Sequence, residues 1–285
     1  MLLTIASGKG GTGKTTVATN LAVCFADLGR SVDLLDCDVE EPNCHFFLRP
    51  EQTVQTPVNV AIPVVRNDVC TGCGECAEIC QFNALACLPQ EVMVFPELCH
   101  SCAGCWLVCP EEAIAPGERA IGEIEQGQVR GVCLIQGRLR VGEAVAPPLI
   151  RRVIAAADGA DLTIIDAPPG TSCPVVAAVQ PCDYAILVTE PTPFGLNDLI
   201  LAVEMVRKLG RPFGVILNRA DSGDRRVHDY CHEQGIRLLM EIPHDLRIAE
   251  AYSRGRLAID VRPQLQGELA ALLPQIEAAI EESGS

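Results

Sequence analysis

Residues 2–16 read LLTIASGKGGTGKTT. Leu2 to Ala6 is a short, largely apolar run. It breaks into a glycine-rich turn, and a new pattern begins at Thr16, with Val17, Leu21, Phe25 and Leu28 spaced to share one face of a helix that Gly29 closes. Strand, turn and helix in this register make a phosphate-binding loop, and Gly8, Gly13, Lys14 and Thr15 satisfy its spacing. The backbone N–H groups from Gly8 through Gly10, Gly11, Thr12 and Gly13, with the helix start at Lys14, Thr15 and Thr16, would cradle the phosphates of a nucleotide. Lys14 would reach the outer phosphates and the Thr15 hydroxyl would ligate Mg2+. A glycine-rich turn alone is a weak signal. The Lys-Thr pair between a strand and a helix makes this one specific.

Outward from the loop, Ser31 to Asp36 reads as a second buried strand. Further strands are expected at Leu162 to Asp166, Tyr184 to Thr189, Phe213 to Asn218 and Arg237 to Ile242. Helices are expected near 196–209, 223–234 and 245–254, two short strands between Gly131 and Val141, and one surface helix over Leu265 to Ile280. Apolar strands alternating with amphipathic helices give an α/β fold, a mostly parallel sheet covered by helices on both faces. From Pro63 the composition turns cysteine-dense, and it changes back near Gly122. The expected organisation is a nucleotide-binding domain in two parts, 1–62 and 122–285, around an insertion at 63–121.

Eight of the sixteen cysteines stand in that insertion as two copies of one spacing: Cys70, Cys73, Cys76, Cys80, then Cys99, Cys102, Cys105, Cys109 followed by Pro110. The spacing resembles the bacterial two-cluster ferredoxin run, in which three thiolates of each run hold one iron-sulfur cube and the fourth reaches the other. Cross-ligation of that kind assigns Cys70, Cys73, Cys76 and Cys109 to one [4Fe-4S] cluster, and Cys99, Cys102, Cys105 and Cys80 to a second. A zinc site would need four thiolates of its own rather than an interleaved set. Cys80 and Cys109 are each followed four residues on by Ala84 or Ala113, then by Leu85 or Ile114. That internal repeat fits a small α+β domain with two related halves.

A net charge of −15 over 285 residues repels a phosphate backbone and an anionic lipid surface alike, so neither nucleic acid nor membrane is expected as a partner. No secretory signal precedes Leu2 and no apolar stretch approaches a membrane span, and cysteine pairs in reducing compartments are metal ligands more often than disulfides. The expected location is the cytoplasm.

Lys9 narrows the family. The loop GKGGTGKTT carries a second lysine near its start, and this resembles the deviant phosphate loop of the MinD/ParA class of ATPases, related to the nitrogenase iron protein and the Mrp-type carriers. The resemblance implies that Lys9 crosses a dimer interface to a partner's nucleotide, in a homodimer or a heterodimer with a related ATPase. It implies that Asp36 and Asp38 of DCDVEEPN are switch aspartates, Asp38 positioning the attacking water. Asp166 of DAPPG would hold Mg2+ through water, and Asn218 would contact adenine. With the cysteine insertion, the chain resembles MinD-superfamily P-loop ATPases that carry an inserted two-cluster ferredoxin domain. That resemblance implies ATP hydrolysis coupled to low-potential electron transfer to a redox partner, or alternatively an ATP-dependent carrier or assembly factor for iron-sulfur clusters or a related metallocofactor. A positioning ATPase would explain neither the clusters nor the acidic charge. Of the other cysteines, Cys24, Cys37, Cys44, Cys87, Cys133, Cys182 and Cys231, most read as small buried apolar residues, Cys133 being the one that would supply a second ligand to a bridging cluster. Cys173, seven residues beyond Asp166, stands where a bridging cluster ligand of the nitrogenase iron protein would be similar, although a structural role is the simpler reading. The five histidines show no complete ligand spacing, and Trp106 is expected to pack over a cube.

Overall fold

The backbone of the computed structural model, which describes residues 1–89 and 91–283, begins β1 (Leu2–Ala6), α1 (Lys14–Asp27), β2 (Val32–Asp36), α2 (Cys44–Leu48) and β3 (Thr53–Val65). It continues through α3 (Glu75–Glu78), β4 (Leu85–Cys87), β5 (Val92–Val94), α4 (Gly104–Leu107), β6 (Ile114–Val129), β7 (Val132–Leu139) and α5 (Pro147–Ala155). Then follow β8 (Leu162–Asp166), α6 (Cys173–Val179), β9 (Tyr184–Thr189), α7 (Pro193–Lys208), β10 (Phe213–Asn218), α8 (Arg226–Glu233) and β11 (Leu238–Ile242). The chain ends in α9 (Leu246–Ser253), α10 (Ala258–Val261), α11 (Gln264–Ala270) and α12 (Leu272–Ser283).

The main sheet has the strand order β11-β10-β9-β1-β8-β2-β7-β6-β3, and every pairing from β11 to β7 is parallel. Its strands alternate in facing. Leu3 and Ile5 enter a core with Val17, Leu21 and Phe25 of α1 and with Leu265, Leu269, Leu272 and Ile276 of the C-terminal helices. Thr4, between them, donates its hydroxyl to the Ala178 carbonyl of α6 on the opposite face, where α7 buries Leu199, Ala202, Val203 and Val206. Both faces are therefore covered, as a parallel sheet requires. Because the strands run together, β1, β2, β8, β9, β10 and β11 deliver their C-terminal ends to one edge, where ligands of open α/β sheets bind.

Two compact units divide the chain. One comprises Met1–Gln55, Ile124–Arg138 and the residues from Ile150 onward; the other comprises Thr56–Glu123 and Leu139–Leu149. The boundaries fall inside the strands β3, β6 and β7 and the helix α5. Between Gly131 and Val141 there is one strand, β7. Its partner β6 precedes it across the two-residue turn Arg130-Gly131, whose positive φ of 51° and 76° is the primed-turn geometry that matches strand twist. The expected single C-terminal helix is two, α11 and α12. Pro274 has no N–H to give to the carbonyl four residues back and its ring crowds it, so the helix breaks one turn earlier. The apolar spacing still works, because both pieces bury their leucines in the same core. Among the described residues no helix is long and apolar enough to cross a membrane.

One buried side chain ties α1 to the C-terminal helices. Asn20 accepts the Ile259 N–H at 2.9 Å and donates to the Thr16 carbonyl at 2.6 Å. Asn20→Ala strands that N–H without a partner and should lower unfolding free energy by about 1–3 kcal/mol in denaturant titration.

A phosphate-loop cavity and two four-cysteine cavities

The loop between β1 and α1 is held by close packing. A Cβ on Gly8 would run into the Asp198 carbonyl of α7, and one on Gly13, at φ 100°, would strike the Asn218 amide. Glycine is required at both positions, and at Gly13 for the left-handed backbone as well. Asn218 donates to the Thr12 carbonyl at 2.8 Å, so its amide braces the loop as well as lining the cavity beside it. That cavity, of about 480 Å³, is lined by Gly10, Gly11, Gly13, Lys14, Thr15, Thr16, Asp38 and Asn218. Thr12 is buried behind it, and Gly8 and Lys9 are not among the lining residues. The wall that the sequence did not reveal comes from the ends of β10 and β11 and from α9: Arg219, Pro243, His244, Asp245, Ile248 and Tyr252. Their position just past parallel strand ends was the available signal.

Asp36 and Asp166 end neighbouring strands in register, and both are buried. Asp36 accepts N–H bonds from Asn43 and Cys44 at 2.8 and 2.9 Å on one oxygen and from Asp38 at 3.2 Å on the other, which ties down the segment carrying Asp38. Asp166 accepts the Thr15 hydroxyl at 2.6 Å, and the Cys44 thiol lies 3.6 Å from the same oxygen. Its other oxygen is buried with no hydrogen-bond partner. A buried carboxylate with a free oxygen beside a phosphate-loop threonine fits a divalent cation, the group that would complete it.

In the second unit the eight cysteines of the two runs sort into two small cavities. Cys70, Cys73, Cys76 and Cys109 line one; Cys80, Cys99, Cys102 and Cys105 line the other, with Trp106 and the stacked pair Phe82 and His100. The two halves match in detail. Cys73 and Cys102 are exposed, whereas Cys76 and Cys105 are buried. The Ala84 and Ala113 N–H groups each donate to the sulfur four residues back at 3.3 Å. Gly72 and Ser101, Gly74 and Ala103, and Asn83 and Glu112 all hold positive φ. Ser101, Ala103 and Glu112 do so without being glycine, each at a cost of about 1–3 kcal/mol. Burial pushes the Cys76 thiol up, with Cys87 the next contributor ahead of Cys70 and Cys73, and burial pushes Cys105 up to about 11.

Cys24, Cys37, Cys44, Cys133, Cys182 and Cys231 are buried as expected; Cys87 is half-buried and Cys173 is exposed at the start of α6.

Residues 3–259 match the model of the CobQ/CobB/MinD/ParA nucleotide binding domain. An uncharacterised protein of Methanocaldococcus jannaschii is 34% identical over 77% of this chain and 78% of its own length. The iron-sulfur cluster carrier protein of Pyrococcus furiosus is 26% identical over 89% of this chain and 77% of its own. Among solved structures, the cell division ATPase MinD of Pyrococcus furiosus superposes with a TM-score of 0.61 at 24% identity, covering 96% of this chain and 98% of that one, which supports the fold.

Burial, then the Asp36 charge, lifts Asp166 from an ordinary 3.8 to about 7; burial, again followed by Asp36, lifts Asp38 to about 6. The folded chain thus keeps protons that the unfolded chain has lost. The associated stability is complete below about pH 4 and is lost as pH rises through about 7. Asp166→Asn removes the larger of these, so between pH 4 and 8 its denaturation midpoint should fall less than that of the wild type. Parallel pH profiles would show that the carboxylate does not titrate with folding.

Proposed function

The chain belongs to the CobQ/CobB/MinD/ParA nucleotide-binding family, and on that premise we propose that it couples ATP hydrolysis in a dimer to electron transfer from two [4Fe-4S] clusters to a redox partner. It is an ATPase of MinD/ParA type. The observation that carries the cluster reading is the partition of eight thiols into two cavities, each with three from one run and a fourth from the other. Such a donor set suits iron-sulfur clusters, which when bound supply one-electron chemistry at potentials tuned by hydrogen bonds to sulfur, and N–H donors to Cys80, Cys99 and Cys109 are in place.

In the nucleotide site, Lys14 would hold the outer phosphates, and Thr15 and Asp166 would hold Mg2+, which would neutralise the charge of phosphoryl transfer. Asp38, lifted toward about 6, orients the attacking water close to neutral pH. Lys9 reaches the nucleotide of the dimer partner, itself or a related ATPase. The segment from Asp38 to Asn43, which Asp36 ties to the strand end, is the element through which loss of the terminal phosphate would be transmitted. ATP, Mg2+ and two clusters are the cofactors of this reading, and its partner is a protein rather than nucleic acid or membrane.

The carrier reading is favoured by one specific observation. Relatives named iron-sulfur cluster carrier protein, such as that of Aquifex aeolicus, are 26% identical over 92% of this chain, which spans 62% of that relative. The two readings part in an anaerobic transfer assay: an electron-transfer protein keeps its iron when an apo-protein acceptor and ATP are added, and a carrier gives it up.

Anaerobically purified chain should contain about 8 iron and 8 sulfide. Zinc without sulfide in folded protein would contradict the reading. Lys14→Ala should abolish ATP hydrolysis and leave the iron content unchanged. Lys9→Ala should still bind nucleotide but lose ATP-dependent dimerisation and hydrolysis together; an unchanged ATP-bound oligomer would make Lys9 an ordinary loop lysine.

A further inference from the structure

A fifth thiol stands next to the first four-cysteine cavity, just behind its lining residues. Cys87, the last residue of β4, donates its thiol to the Gly72 carbonyl at 3.5 Å, and Gly72 is joined directly to Cys73. Across the β4–β5 ladder Cys87 pairs with Val92, which lines that cavity alongside Cys70, Cys73, Cys76 and Cys109. The same packing cluster contains Cys70, Cys76, Cys87 and Cys109. Cys73 is the exposed member of the four, while Cys76 is buried.

The second half of the repeat supplies a control within the molecule. Aligning Cys80 with Cys109, Ala84 with Ala113, Leu85 with Ile114 and Ala86 with Ala115 brings Cys87 opposite Pro116. The loop of Cys102 therefore has no corresponding thiol.

We infer that Cys87 is a reserve ligand of the first site, able to take the iron that Cys73 holds. The inference rests on the two-cluster reading above. In the exchange the Cys87 sulfur bonds to iron as its proton leaves, the bond from Cys73 breaks, and the Cys73 sulfur takes up a proton. One proton is transferred and no electron moves. The first site then tolerates loss or oxidation of its exposed cysteine, and the second does not.

The test uses the anaerobic full-length chain as wild type, Cys87→Ala, Cys73→Ala, Cys102→Ala and the double variant Cys73→Ala/Cys87→Ala. Two readouts are taken: iron and sulfide per chain, and the cysteines protected from iodoacetamide, mapped by mass spectrometry. Wild type and Cys87→Ala should hold about 8 iron, with Cys87 alkylated in the wild type. Cys73→Ala should keep about 8 iron and protect Cys87, whereas Cys102→Ala and the double variant should fall to about 7 or about 4. Cys73→Gly, which suits this glycine-bearing loop, should repeat the Cys73→Ala pattern if alanine alone disturbs folding. Iron-loaded wild type with a Cys73→Ala as depleted as Cys102→Ala, or one that keeps its iron with Cys87 still alkylated, overturns this inference alone. Wild type without iron and sulfide overturns the two-cluster reading and the inference with it.

Discussion

Two carboxylates that ought to repel each other organise the nucleotide edge. Asp36 and Asp166 are register partners on adjacent parallel strands, and both are withdrawn from solvent. At the spacing of neighbouring strands, two full charges in a protein-like dielectric oppose each other by about 3 kcal/mol. The surroundings divide the task of offsetting this. Asp36 is satisfied by three backbone N–H groups and so becomes a clasp for the segment from Asp38 to Cys44. Asp166 is left half-satisfied, by the Thr15 hydroxyl and the Cys44 thiol on one oxygen with the other free; burial raises both carboxyls, Asp166 to about 7. The pair is thus asymmetric in its hydrogen bonds: one carboxylate is committed to backbone, and the other keeps a free oxygen for a cation. Metal binding, loop position and the protonation of this edge belong to one electrostatic problem.

The second unit presents a constraint of a different kind. Its loops repeat left-handed residues at three matched positions, and in the second half those residues are Ser101, Ala103 and Glu112, none of them a glycine. The unit's own apolar cluster around Leu85, Val92 and Ile114 is modest, and on the two-cluster reading metal–thiolate bonds would offset such strain. The half-to-half symmetry fails at Cys87 and Pro116, and the asymmetry in thiol supply lies there.

Most of the sheet was legible in the sequence because its central strands are buried on both faces and read as unbroken apolar runs; β1, β8, β9 and β10 begin and end where the sequence puts them. The strands β3 and β6 were not. TVQTPVNVAIPVV contains two prolines and is exposed along much of its length, and Ile114–Val129 mixes Gly, Glu and Arg, so neither carries a clear period of two. The length of β3 carries the second unit back to Thr56, ahead of the cysteine-dense segment. In the nucleotide site, Lys14, Thr15, Asp38 and Asn218 were named by spacing and by resemblance, whereas His244, Asp245, Ile248 and Tyr252 were not, because a cavity wall made of one helix and a strand end leaves no pattern of residue types. The Asn218 amide was expected at a base and is also a brace on the Thr12 carbonyl, a role that appears only when the two loops are seen together.

The central claim is that nucleotide and cysteine sites share free energy, and reciprocity makes it measurable from one side. The direct measurement is the affinity of the cluster-loaded chain for ATP under anaerobic conditions, with the clusters oxidised and then reduced. Coupling of the usual size, about 1–3 kcal/mol, predicts affinities that differ by about 5- to 150-fold between the two redox states. Equal affinities in both states, with the redox partner present, would contradict the account and leave the clusters as cargo or as structural staples.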